Sequence, residues 1–286
     1  MIVDTAAVET ARQESAHYEW LKKADDTVIP MMPAIAHRVI ELVSDPDVSV
    51  ATIASLVSKD QVLASRVLGL ANSAYCAPMQ SVSTVLEAIV RLGTAAVRNV
   101  VVTVSFTSRM HDPRIYGEAA RERADHAIGT AYVARLVAEK AKVDENEAFL
   151  CGLLHDIGKL VVMKLAHDHG NKTKQPIPQD QIETAIIARH AALGAITLKR
   201  WKLPEALIEP VAYHHDYQQA QERVKETAVI YAANLLAHRY GFGCPQNGRD
   251  FLTDPVAEFL GLDAIWLEAT DVHAPGLYEV ARQILN

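Results

Sequence analysis

Apolar positions recur at three- and four-residue steps over most of this chain. Ile35, Val39, Ile40 and Val43 make the first stripe, lying between Pro33 and Asp45-Pro46, and predict a helix of about three turns. Ser49 is placed to cap a short helix carrying Ile53, Leu56 and Val57. Asp60 is placed to cap another, with Leu63, Val67, Leu68 and Ala71 inward, which Asn72-Ser73 closes. A further helix is expected at about 83–91, ended by Gly93, with Thr94 capping its successor. The run from Val97 to Val104 is rich in β-branched residues and by itself also reads as a buried strand, but no second such run is present to pair with it.

Beyond Pro113 the pattern predicts helices at about 118–140, 145–166, 180–202, 205–214 and 222–239. A loop is expected from Gly170 to Pro178 and another from Gly241 to Gly248, followed by a helical tail over 255–262 and 277–285. Residues 1–27, where Trp20 and Leu21 give a weak helical face, read as an N-terminal extension. Neither an internal repeat nor a low-complexity tract interrupts the chain, and the expected fold class is all-α.

Composition narrows the function. Half of the 286 residues are hydrophobic and 22% are charged, the balance of a globular protein with one large domain or two modest ones. Lys and Arg total 28 against 35 Asp and Glu, a net charge of −7, so a nucleic-acid partner is not expected. No apolar passage approaches the roughly 18 residues of a membrane span, and the start, MIVDTAAVETARQ, lacks a basic segment followed by an apolar one. A cytoplasmic protein is the expectation. Cys76, Cys151 and Cys244 lie far apart, which encodes neither a disulfide framework nor a cysteine zinc site. The chain has twelve histidines, seven of them between His126 and His215.

The segment AFLCGLLHDIGKLVVMKL, residues 148–165, is almost wholly apolar apart from His155, Asp156 and Lys159. A helix of that composition is buried, and a buried carboxylate or imidazolium needs a metal, an ion pair or a hydrogen-bond network. Asp156 and Lys159 are three residues apart and share a face, which suits an ion pair. His155 and Asp156 diverge by about 100° on a helix yet can both reach a cation lodged between helices. His126, His190, His214 and His215 are the candidates for further ligands. Five imidazoles and one carboxylate suit one or two divalent transition ions such as Fe, Mn, Ni or Zn. Without a metal, His155 and Asp156 would be a buried hydrogen-bonded pair. Cys151 reads as a small buried hydrophobe, His167 and His169 as polar residues ending a helix before Gly170, and Arg114, Arg121 and Arg123 as a solvated face.

His126 followed by His155-Asp156 within LLHDIGKL resembles the HD-domain superfamily of metal-dependent phosphohydrolases, whose ligands come in the order H…HD…D. IPMMPAI, SKDQVLASRVLGLANSAY and STVLEAIVRLG, together with HAALGAITLKRWKLPEALIEPVAYHH, resemble the HDOD family of bacterial signalling output domains. The resemblance covers about residues 28–222. It implies a two-lobed all-α domain, with a helical lobe at about 28–112, an HD-like lobe at about 113–222 and a C-terminal helical extension over 223–286. It also implies His126, His155, Asp156, His190, His214 and His215 as metal ligands.

Two departures bear on activity. The final aspartate of the superfamily pattern is matched by Asn234 in VIYAANLLA, and a neutral amide is a poorer ligand than a carboxylate. The segment HHDYQQAQ lacks the glycine-rich GYP continuation of the related HD-GYP family, so hydrolysis of cyclic di-GMP is not expected. A third departure, Lys59-Asp60-Gln61 where the family usually has Asp-Pro, affects a helix start and no chemistry. The resemblance therefore implies a signalling output protein that binds regulatory proteins or a small phosphorylated ligand, with little or no catalysis. The alternative is a metal-dependent phosphohydrolase in which Asp156 orients or deprotonates the attacking water and Lys159 contacts a substrate phosphate.

Overall fold

The computed structural model describes residues 32–73, 80–108, 113–117, 120–246, 248 and 250–285. The expected extension at 1–27 and Cys76 lie outside these residues. Among them the structure is helical with no strand.

The first lobe holds α1 (Ala34–Ser44), α2 (Val50–Val57), α3 (Gln61–Ala71), α4 (Val85–Leu92) and α5 (Thr94–Thr107). Ser49 caps α2 by accepting from the Thr52 amide, and Asp60 caps α3 by accepting from Val62 and Leu63. Thr84 and Glu87 form a reciprocal capping box at α4. The valine run is helix α5, not a strand. Val97, Val100, Val101, Val102 and Val104 are all buried, so packing on every side overrides the β-branched preference. Gly93, with φ +82°, links α4 to α5. Thr94 is already the first residue of α5 and makes no side-chain cap.

The second lobe begins with the single turn α6 (Pro113–Tyr116) and continues through α7 (Ala120–Ala141), α8 (Glu145–Leu154), α9 (Ile157–Thr173), α10 (Gln179–Arg200), α11 (Ile208–Ala212) and α12 (Val224–Tyr240). The helix expected over 145–166 is two helices, because Asp156 (φ −99°, ψ 8°) leaves the helical region and the chain turns between Leu154 and Ile157. α9 then runs on past Gly170 to Thr173, carried by the Lys164–Asp168 ion pair and by Asn171 Nδ2 donating to His167 Nε2, each four residues apart. His167 and His169 therefore sit inside a helix, and the connecting loop is confined to 174–178.

α7 packs against both α8 and α12, and α9 packs against α10. The α9–α10 crossing is close. A methyl group on Gly158 would overlap the His190 carbonyl, so glycine permits the approach that brings His190 beside Asp156. After α13 (Pro255–Leu260), α14 (Ala264–Leu285) is one long helix where a tail over 277–285 is expected. It lies against α7 of the second lobe and against α3 and α5 of the first. Arg282 pairs with Asp125 across the α14–α7 contact at 3.3 Å.

Candidate metal centre

Five helix segments aim side chains at one point. His126 comes from the middle of α7, His155 and Asp156 from the break between α8 and α9, His190 from α10, His214 and His215 from the turn after α11, and Asn234 from α12. The break matters most. On an unbroken helix His155 and Asp156 would point about 100° apart, whereas here His155 Nε2 lies 3.3 Å from Asp156 Oδ2. His126, His155, His190 and His214 are buried, and His215 is the solvent-facing member.

Four of these rings are held the same way. Each places Nδ1 on a main-chain carbonyl: His126 on Phe242 (3.1 Å), His155 on Gly152 (2.7 Å), His190 on Ile186 (2.6 Å) and His214 on Val211 (2.8 Å). With Nδ1–H donating outward, each Nε2 presents a lone pair inward, the arrangement that orients imidazoles toward a metal. Asp156 stands between two groups of them. Its Oδ2 faces His155 and, at 4.0 Å, His126; its Oδ1 faces His190 at 3.5 Å and His214 at 3.8 Å. His190 Nε2 is 3.3 Å from His214 Nε2 and 2.9 Å from His215 Nε2.

Charge explains why this cluster suits a cation. Burial, with the nearby His155, lowers the His126 pKa to about 3; burial lowers His190 to about 3 as well, outweighing the opposing pull of Asp156. Burial and neighbouring imidazoles hold His214 well below the usual histidine range. Neutral rings have one N–H each, so several nitrogens here face acceptors without a proton between them. Asp156 is held well below the usual carboxylate range: burial opposes ionisation, but His155 and Lys159, whose Nζ lies 2.6 Å from Oδ2, outweigh it. His155 Nε2 and Asp156 Oδ1 have no hydrogen-bond partner among the described residues. Orphaned, buried, inward-facing donors of nitrogen and oxygen are the set a divalent transition ion satisfies. The six expected ligands thus converge, and Lys159 is placed as an ion-pair partner of Asp156.

Asn234 occupies the position of the missing aspartate, its Oδ1 3.0 Å from His126 Nε2. Two residues outside the expected set stand beside it. His238, one turn further along α12, sets its ring 4.9 Å from that of His126 at a tilt of 45° and leaves a buried Nδ1 without a partner among the described residues. Cys244 brings Sγ to 3.6 Å from His126 Nδ1. The four-residue spacing from Asn234 signals His238 in the sequence; Cys244 carries no such signal, since a tight turn delivers it. That turn depends on Gly243 (φ +61°), where a Cβ would overlap the Glu122 carbonyl and the His126 amide. Phe242, whose carbonyl holds His126, stacks on Tyr278 of α14 at 4.2 Å. Cys151 is buried, as expected, and burial pushes its thiol up. Arg121 is exposed, while Arg123 reaches Glu183 at 3.7 Å.

Comparison with known proteins agrees with this fold. A proposed metal-dependent phosphohydrolase from Shewanella amazonensis superposes with a TM-score of 0.75, at 19% identity, covering 97% of this chain and 100% of that one. A proposed signal transduction protein from Marinobacter aquaeolei VT8 superposes at 0.71 and 20% identity, covering 99% of this chain and 69% of the other. An uncharacterized protein of Treponema pallidum is 27% identical over 208 residues, which is 69% of this chain and 39% of that one. The chain spans well under half the length of the curated relatives it matches. No described helix is long and apolar enough to cross a membrane. The family model of the HDOD domain matches residues 29–217, and the chain belongs to the HDOD family.

Proposed function

We propose that this protein is a signalling output module in which the His126–His215 centre binds one or two divalent transition ions and, through them, a phosphate-bearing ligand, with hydrolysis slow or absent. The observation that carries this reading is Asn234 Oδ1 at 3.0 Å from His126 Nε2. The protein keeps the imidazoles that hold a metal but replaces the last carboxylate by an amide, which binds a cation more weakly and leaves its charge less neutralised. Asp156, with one oxygen toward each group of histidines, is placed to serve two ions at once. The imidazole-rich set suits Fe, Mn, Ni or Zn. The output is exerted on regulatory partner proteins, in keeping with the signal transduction assignment of the Marinobacter neighbour.

The second reading, a metal-dependent phosphohydrolase, is favoured by an open cleft that reaches the centre past Lys159. A bound divalent ion would polarise a phosphoryl oxygen and acidify water. The chain's own part would be to hold that ion through five imidazoles and Asp156, and to offer Lys159 as a point charge to a phosphate. Asp156 is a weak base while ionised and paired with Lys159, so it would orient water rather than take its proton.

Elemental analysis of untagged protein, and hydrolysis of p-nitrophenyl phosphate and bis-p-nitrophenyl phosphate by wild type and by His155→Ala with Asp156→Ala, separate the readings. Bound metal with equal background rates supports the binding module. Bound metal with turnover lost in the double variant supports the hydrolase. Less than about a tenth of an equivalent of transition metal after reconstitution would remove both.

A further inference from the structure

The cleft that opens onto the centre has a volume of roughly 860 Å³, and Lys159, His190, His215, Asn234 and His238 are among the residues that line it. One wall is α10, and that wall is made of alanine and isoleucine. Ile187, Ala191 and Ala195 follow one another at four-residue steps, and Ala188, Ala192 and Ile196 run beside them. At about 1.5 Å per residue the ridge continues about 9 Å beyond His190. Ile187 and Ile196 are 42% and 37% exposed, so this face lines a cavity instead of packing into the core. The alanines keep the trough open, and the isoleucines stand at its two ends.

The charges facing the cleft are few. Lys159 is matched by Asp156 at 2.6 Å, Glu183 and Asp216 are acidic, and no arginine lines the cleft among the described residues. Besides the histidines, Tyr213 is the one aromatic ring lining it among those residues. With Glu183 paired to Arg123, a polyphosphate or a nucleic-acid backbone would meet the Asp216 carboxylate and no spare side-chain cation, and a nucleobase would find little to stack on. A ligand with a single phosphate at the centre and an aliphatic body along α10 meets no such opposition and buries apolar surface on the alanine ridge.

We propose that the cleft binds a soluble phosphomonoester bearing one aliphatic chain, its phosphate at the histidine–aspartate centre and its chain along the ridge beyond His190 towards Ile196. This rests on the reading of the centre as a metal and phosphate site.

The test is calorimetric titration of Mn²⁺-loaded full-length protein with n-octyl phosphate below its micelle-forming concentration, with inorganic phosphate and with ATP. Octyl phosphate is expected to bind at least about tenfold more tightly than inorganic phosphate, and ATP no more tightly than inorganic phosphate. Ile196→Glu, at a partly exposed position, is expected to remove most of the octyl advantage while leaving Mn²⁺ content and inorganic phosphate affinity unchanged. Mn²⁺ uptake with octyl phosphate and inorganic phosphate binding equally, or with ATP binding most tightly, overturns the proposal and leaves the metal reading standing. Failure to take up Mn²⁺ or any other transition ion overturns the reading of the centre and the proposal with it. Sedimentation with phosphatidic acid vesicles in preference to binding free octyl phosphate overturns the soluble, single-chain assignment.

Discussion

His126 presents one ring nitrogen to the Phe242 carbonyl at 3.1 Å and the other to the Asn234 amide oxygen at 3.0 Å. A neutral imidazole has a single N–H, so with the amide in this orientation one of these two acceptors is left without a proton. The His126 pKa of about 3 excludes the imidazolium at neutral pH. A cation between His126 Nε2 and Asn234 Oδ1 would satisfy both atoms, and a carboxylate at that position would add charge to the contact.

Asn234→Asp should therefore tighten metal binding by about tenfold or more, since a carboxylate replaces an amide in contact with the ion. Competition against a chromogenic chelator measures it. The same variant should raise phosphoester hydrolysis if the amide is what limits turnover. Unchanged metal affinity would place Asn234 outside the coordination sphere.

Metal loading should raise the melting temperature. Ligand at about a hundred times its dissociation constant stabilises a site by about 2.7 kcal/mol. Asp156→Ala should abolish the increase because Asp156 faces both groups of histidines. Scanning calorimetry with and without Mn²⁺ checks this, and a rise that persists in Asp156→Ala would assign the ion to another site.

The metal-free protein should lose stability in mild acid. Burial depresses His126 and His190 to about 3 and His238 to about 4 in the folded state, while the unfolded chain takes up those protons near pH 6.5. Between these limits the unfolded state binds more protons, so unfolding becomes easier as pH falls from about 6.5 towards about 4. Urea midpoints at pH 7.5, 6.0 and 5.0 should fall in that order, and a flat profile would contradict the buried, neutral histidines.

Gly158→Ala should destabilise the fold by about 3 kcal/mol, since the new methyl meets the His190 main chain and forces α9 and α10 apart. Metal affinity should fall with it, because His190 and Asp156 lie on the two sides of that crossing. Circular dichroism melts and chelator competition read the two effects separately.

Glu209→Gln should cost about 2 kcal/mol. The Glu209 carboxylate accepts from the Gln221, Glu222 and Arg223 amides, at 2.7, 3.0 and 2.5 Å, and so closes the chain just before α12. Despite some burial, these bonds hold its pKa below the usual range. A denaturation midpoint equal to wild type would show the closure to be dispensable.

The helical pattern was legible because its cues are local: Ser49 and Asp60 cap where their sequence positions suggest. The valines of α5 are ambiguous in sequence because their helical state follows from burial on all sides, a tertiary fact. The turn at Asp156 is also tertiary. A polar pair within an apolar run points to a buried site, but only the partner helices decide that the chain breaks there. The six candidate ligands could be named because His126, His155-Asp156, His190 and the His214-His215 pair keep the order of the family they resemble, and the structure brings their side chains together. Cys244 could not, because the turn through Gly241 and Gly243 alone determines where its sulfur falls.

The long α14 helix gives this centre a mechanical dependence on the far end of the chain. Tyr278 stacks on Phe242, the Phe242 carbonyl fixes the His126 ring, and His126 faces the ion position. Since α14 also lies on α3 and α5, the seating of this helix and occupancy of the centre by an ion would be linked equilibria. Whatever factor metal adds to the seating of α14, a partner that seats α14 must return to metal affinity.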